Sequence, residues 1–109
     1  MIEVRINYQG KDITSFQVKG HAGFAPEGQD IYCAGVSAVA QTTLLGLCIN
    51  LSIQPEYRVE EGWLQCHLPA GLNREDMEKA QIILSTMEAG MLSMQEAYSN
   101  FIKLEVRRS

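Results

Sequence analysis

Basic residues are scarce in this sequence: nine Lys and Arg stand against thirteen Asp and Glu, for a net charge of −4. A chain with that balance has no general electrostatic pull toward a nucleic-acid backbone, so direct RNA or DNA binding is not expected. Cysteines number three, Cys33, Cys48 and Cys66, an odd set with no Cys-x-x-Cys pair. That speaks against a disulfide framework and against zinc-ligand spacing, and no metal or cofactor is expected. Low-complexity segments and internal repeats are absent. So is a continuous apolar stretch at the N-terminus, where Met1-Ile2-Glu3-Val4-Arg5 alternates and does not read as a signal peptide. A reduced, cytoplasmic protein is the expectation. The one long apolar run, residues 31–53, is broken by Ser37, Gln41, Thr42, Thr43, Asn50 and Ser52, which suits a buried helix better than a membrane span.

What is present fits one domain over residues 1–109, a length that supports one two-layer core. Ile2, Val4, Ile6 and Tyr8 alternate with polar residues, as do Thr14, Phe16 and Val18, around a turn at Gly10; this spacing predicts a hairpin. A helix over about 31–53 follows, apolar on most sides and therefore central and buried, rich in small residues and stopped by Pro55. A second hairpin pairs residues 57–60 with 63–68. Asn73 caps a second helix whose Met77, Ala80, Leu84, Met87, Met91, Met94 and Tyr98 form one stripe. Gly90 within it suggests a close contact. Ile102, Leu104 and Val106 close the chain as a strand. The order β-β-α-β-β-α-β predicts an α/β (α+β) domain, a sheet with two helices.

The chemistry concentrates in Gly20-His21-Ala22-Gly23 and in the cysteine twelve positions after His21. A thiolate is the reactive form of cysteine, and an imidazolium or a helix start lowers the thiol pKa. Cys33 falls at about the third helical position if Asp30 is the N-cap, and a loop over residues 20–30 carries His21 and is able to close over a bound peptide. Cys33 as nucleophile with His21 as base is one reading; a space-filling cysteine is the other. Asp30 serves equally as cap or as the group that orients His21. Ser37, one turn after Cys33, either reaches the site or bonds the preceding turn. Cys66 and His67 are adjacent, so on a strand they point to opposite faces.

The combined pattern Gly20-His21-Ala22-Gly23, then Gly28-x-Asp30-Ile31-x-Cys33-Ala34-x-Val36-Ser37-Ala38, resembles the signature of the ribosomal-processing cysteine proteases, the Prp family. The resemblance implies a homodimeric cysteine endopeptidase that removes a short N-terminal extension from a large-subunit ribosomal protein, cutting after an aromatic pair. By that likeness His21 and Cys33 are catalytic, with Gly20, Gly23, Asp30 and Ser37 at supporting motif positions. Tyr32 and Gly35 stand where family members often have a small aliphatic residue and alanine, which touches substrate preference. Two other classes fit the same residues: a non-enzymatic ribosome-associated module that holds a peptide, and another thiol enzyme such as an acyl transferase.

Overall fold

Alternation decides the sheet. Strands β1 (Ile2–Gln9) and β2 (Asp12–Lys19) pair antiparallel around Gly10, whose φ of +63° is a turn conformation that favours glycine. Residues 1–20 and 29–109 are described by the computed structural model, with side chains in the second segment from Ile31 onward. Helix α1 (Gln29–Asn50) follows, then the hairpin β3 (Glu56–Glu60) and β4 (Trp63–His67), helix α2 (Arg74–Ala97) and β5 (Ile102–Arg108). The element order is the expected one, and the chain is an α+β domain. Among the described residues the sheet runs β3-β4-β2-β1-β5, antiparallel except for β1 beside β5.

Both helices lie on one face of the sheet. Val4, Ile6, Phe16, Val18, Leu64 and Cys66 point into that face and are buried. The opposite face presents polar and charged side chains such as Arg5, Gln17, Gln65 and Arg58. One irregularity was not visible in the alternation: the β1–β2 register shifts between Asn7 and Tyr8. Near that shift the Gln81 side chain of α2 takes both the N–H and the carbonyl of Ile13, at 2.7 and 2.8 Å, so backbone groups beside the bulge are satisfied from the helix layer.

Helix α1 begins earlier and ends earlier than its sequence suggested. It starts at Gln29, so Asp30 is the second helical residue and not the N-cap, and Cys33 is the fifth and not the third. An acid anywhere in the first turn suits the helix dipole, which is why the residue type alone did not fix the boundary. The helix expected to be central and buried buries one face only in the single chain. Val36, Ala40, Thr43, Leu44 and Leu47 are in the core, whereas Ile31, Leu45 and Ile49 are 73, 60 and 79% exposed. By length and composition α1 passes for a membrane span, but its inner face is packed into this core. A pattern without a charged residue from Ile31 to Asn50 cannot say which side faces inward.

Helix α2 follows its stripe: Ala80, Leu84, Met87 and Met91 are buried, and Asn73 caps it by accepting from the Asp76 N–H at 2.8 Å. Gly90 is not a close contact, since a Cβ there would meet only Val39 at 4.0 Å.

Buried Asp76 ties the turn after α1 to the start of α2. Its carboxylate accepts from the Ser52 hydroxyl and from the Ser52 N–H at 3.0 Å. Those bonds, aided by Lys79, hold the carboxyl below its ordinary pKa despite burial. A depressed carboxyl contributes stability fully above its unfolded value of about 4 and loses it as pH falls through the lower folded value. Asp76→Ala is therefore expected to melt below wild type at pH 7, with the gap closing as pH drops below about 4. Circular-dichroism melts across pH check this; a gap that is constant with pH would contradict it.

Candidate active site

The first half of α1 and the β3–β4 hairpin face each other across a cavity of about 250 Å³. Cys33, Ser37 and Gln41 recur every fourth residue along α1 and form one wall. Val59, Glu60 and the turn at Glu61-Gly62 form the other, and Val18, Leu64 and Ile2 form an apolar floor. Two contacts set this geometry. The Gly20 N–H donates to the Gly62 carbonyl at 3.1 Å, joining the end of β2 to the hairpin turn. A Cβ on Gly20 would come within 2.9 Å of the Ile2 Cα, so only glycine lets the chain leave the sheet there. Gly20 is thus a structural member of the motif.

Cys33 is half-buried at the cavity wall. Ser37 lines the same cavity, and its Oγ accepts from Gln41 Nε2 at 2.8 Å. His21, Gly23 and the Asp30 side chain lie outside the described residues, as does the loop between them.

The other thiols are elsewhere. Cys66 is buried in the sheet, and desolvation pushes its pKa up to about 12, with Cys48 nearby adding to the rise. A thiol so shifted is inert at neutral pH. His67 sits at the end of β4 opposite the hairpin turn, exposed, with its Nε2 2.6 Å from Gln65 Nε2. Among the described residues no three metal-ligating side chains gather.

Tyr32 turns away from the cavity. Its ring stacks on Phe101 at 4.7 Å and meets Tyr98 at 4.4 Å, so it packs α1 against the α2–β5 connection. Gly35 has open space where a Cβ would be.

The hairpin wall was missed in the sequence. Glu60 and Trp63 flank its turn, with Arg58 bonding Glu60 at 2.7 Å and lying 5.3 Å over the Trp63 ring. Among the described residues Glu60 and Glu61 are the charged ones lining the cavity, which makes that rim acidic. Nothing local marks these residues; only the β2–β4 pairing brings them to Cys33.

Comparison with known proteins adds the following. The family model for the cysteine protease Prp matches residues 1–103. The ribosomal processing cysteine protease Prp of Bacillus subtilis is 30% identical over 96 residues, 86% of each chain. A crystal structure of the S. aureus ribosomal processing protease Prp in complex with a substrate peptide superposes with a TM-score of 0.84, at 26% identity over 98% of this chain and 100% of that one. A second S. aureus structure, with a covalently linked product peptide, gives 0.80 at 27% identity, with the same coverage.

Proposed function

Since the chain belongs to the family of the cysteine protease Prp and is a cysteine-type peptidase, we propose that it removes a short N-terminal extension from a large-subunit ribosomal protein, with Cys33 as nucleophile and His21 as base. The observation that carries this reading is the position of Cys33 at the wall of an open cavity with an apolar floor. His21 takes the thiol proton, and the Cys33 sulfur attacks the scissile carbonyl carbon. The tetrahedral oxyanion collapses, the C–N bond breaks, and His21 returns the proton to the departing amine. A thioester joins the N-terminal fragment to Cys33. Water, deprotonated by His21, hydrolyses it and restores the thiol. On this reading N–H groups in the first turn of α1 stabilise the oxyanion, each worth on the order of 10²–10³ in rate.

The apolar floor suits an aromatic side chain on the residue before the scissile bond, and the acidic rim suits a segment of a basic protein. The chain acts in the cytoplasm as a homodimer; Ile31, Leu45 and Ile49, exposed on the outer side of α1, are the apolar surface such pairing would cover. The substrate claim is tested by mass mapping of the products from a synthetic extension peptide that carries an aromatic pair followed by a small residue. One cut, after the pair, is expected. Scattered cuts, or one elsewhere, would contradict it.

A further inference from the structure

Ser37 is bonded differently from other hydroxyls in the two helices. Thr43 donates to the Val39 carbonyl at 2.8 Å and Thr86 to the Ile82 carbonyl at 2.7 Å. Ser85 donates to that same carbonyl at 3.2 Å. These are the usual bonds of a helical hydroxyl to the preceding turn. Among the described residues Ser37 donates to no carbonyl; its oxygen accepts from Gln41 Nε2 at 2.8 Å instead. A hydroxyl has a single hydrogen, and a donor on its oxygen leaves that hydrogen to point elsewhere.

Gln41 lies one turn after Ser37, Cys33 lies one turn before it, and all three line the cavity. Side chains four apart on a helix are about 6 Å apart at Cβ, so Ser37 is within reach of both neighbours. Gln41 bonds it from one side. On the other side is a sulfur that becomes a strong acceptor when it loses its proton.

We propose that Gln41 is a positioning residue of the protease: by donating to Ser37 Oγ it directs the Ser37 hydroxyl hydrogen to the Cys33 thiolate. The inference rests on the protease reading above, which makes the thiolate the attacking form. A hydrogen bond to the charged form of a group favours that form. A second donor behind the first polarises it and strengthens the bond. Such bonds are long in a resting site and tighten when the charge forms. Gln41 itself is exposed and outside the core, so its amide can be replaced without opening a cavity.

The test follows two readouts in the full chain. One is the rate of Cys33 alkylation by iodoacetamide across pH, mapped by mass spectrometry; the other is cleavage of the extension peptide. Glu60 and Glu61, the charged groups facing Cys33 across the cavity among the described residues, stay in place. Gln41→Ala is expected to melt as wild type does, to lower kcat about threefold at unchanged KM, and to move the alkylation profile to higher pH. Gln41→Glu is expected to lower kcat about tenfold at pH 7, because a carboxylate accepts from Ser37 and turns its hydrogen away from the sulfur. In a Ser37→Ala chain, Gln41→Ala is expected to change neither readout. An alkylation profile unmoved by Gln41→Ala, or an effect equally large without Ser37, would overturn the inference. So would Gln41→Glu matching Gln41→Ala, since reversing the bond would then not matter. Profiles that move as expected in a wild type that does not cut the peptide would overturn the protease reading and leave the order of bonds standing.

Discussion

A Cys33→Ala chain is expected to fold as wild type does and to cleave peptide at least about 10⁴-fold more slowly. The two halves of that expectation have separate physical grounds. Cys33 is half-buried on the cavity side of α1, and the core face of the helix is carried by Val36, Ala40, Leu44 and Leu47. Removing one sulfur at the cavity wall therefore costs about 1 kcal/mol or less. Alanine is also a better helix former than cysteine, which offsets part of that. Activity has no such reserve. Among the described residues the other thiols are Cys48, farther along α1, and Cys66, buried with its pKa near 12. Neither lines the cavity, so no second nucleophile replaces the first. Paired rate and melting measurements check this. A variant that retains a tenth of the wild-type rate would remove Cys33 from the mechanism.

Phe16→Ala is expected to destabilise the fold by about 3–5 kcal/mol. Among the described residues Phe16 is the largest fully buried side chain, at 1% exposure, on β2 near the centre of the sheet. It pairs with Ile6 on one side and Cys66 on the other, so its ring joins both hairpins beneath the helices. Domains of this size hold about 5–15 kcal/mol in all, and a loss of that order leaves little margin. Urea unfolding measures it through the shift in midpoint. A loss below about 1 kcal/mol would mean that the core closes over the missing ring without a cavity. Because β2 delivers Gly20 to the hairpin turn, the destabilised protein should also lose activity at temperatures where wild type works.

The order of elements was legible because each carries its own period. Alternation in Ile2–Tyr8 and the stripe Ala80, Leu84, Met87, Met91 are local signals, and local signals survive without knowledge of partners. The Asn73 cap was legible for the same reason. What failed was nonlocal or degenerate. Asp30 and Gln29 are both acceptable at a helix start, so the boundary slipped by two residues. From Ile31 to Asn50 helix α1 lacks charge on every side, so its pattern could not tell the core face from the exposed one. Gly90 looked like a close approach because glycine is costly in a helix, but only the fold shows the room around it.

The candidate site divides along the same line. Cys33 and Ser37 are visible in the sequence because they are four residues apart on one helix. Gln41 continues that spacing and was passed over because an exposed helical glutamine is ordinary. Val59, Glu60 and Glu61 reach the cavity only through the pairing of β4 with β2, which no stretch of sequence encodes by itself.

The most direct test of the central claim is intact-protein mass spectrometry of a reaction stopped by acid within the first turnover. The account predicts a wild-type mass raised by that of the N-terminal fragment less one water relative to the free fragment, mapping to Cys33, and no adduct on Cys33→Ala. An adduct on another residue, or peptide turnover by Cys33→Ala at the wild-type rate, would contradict it.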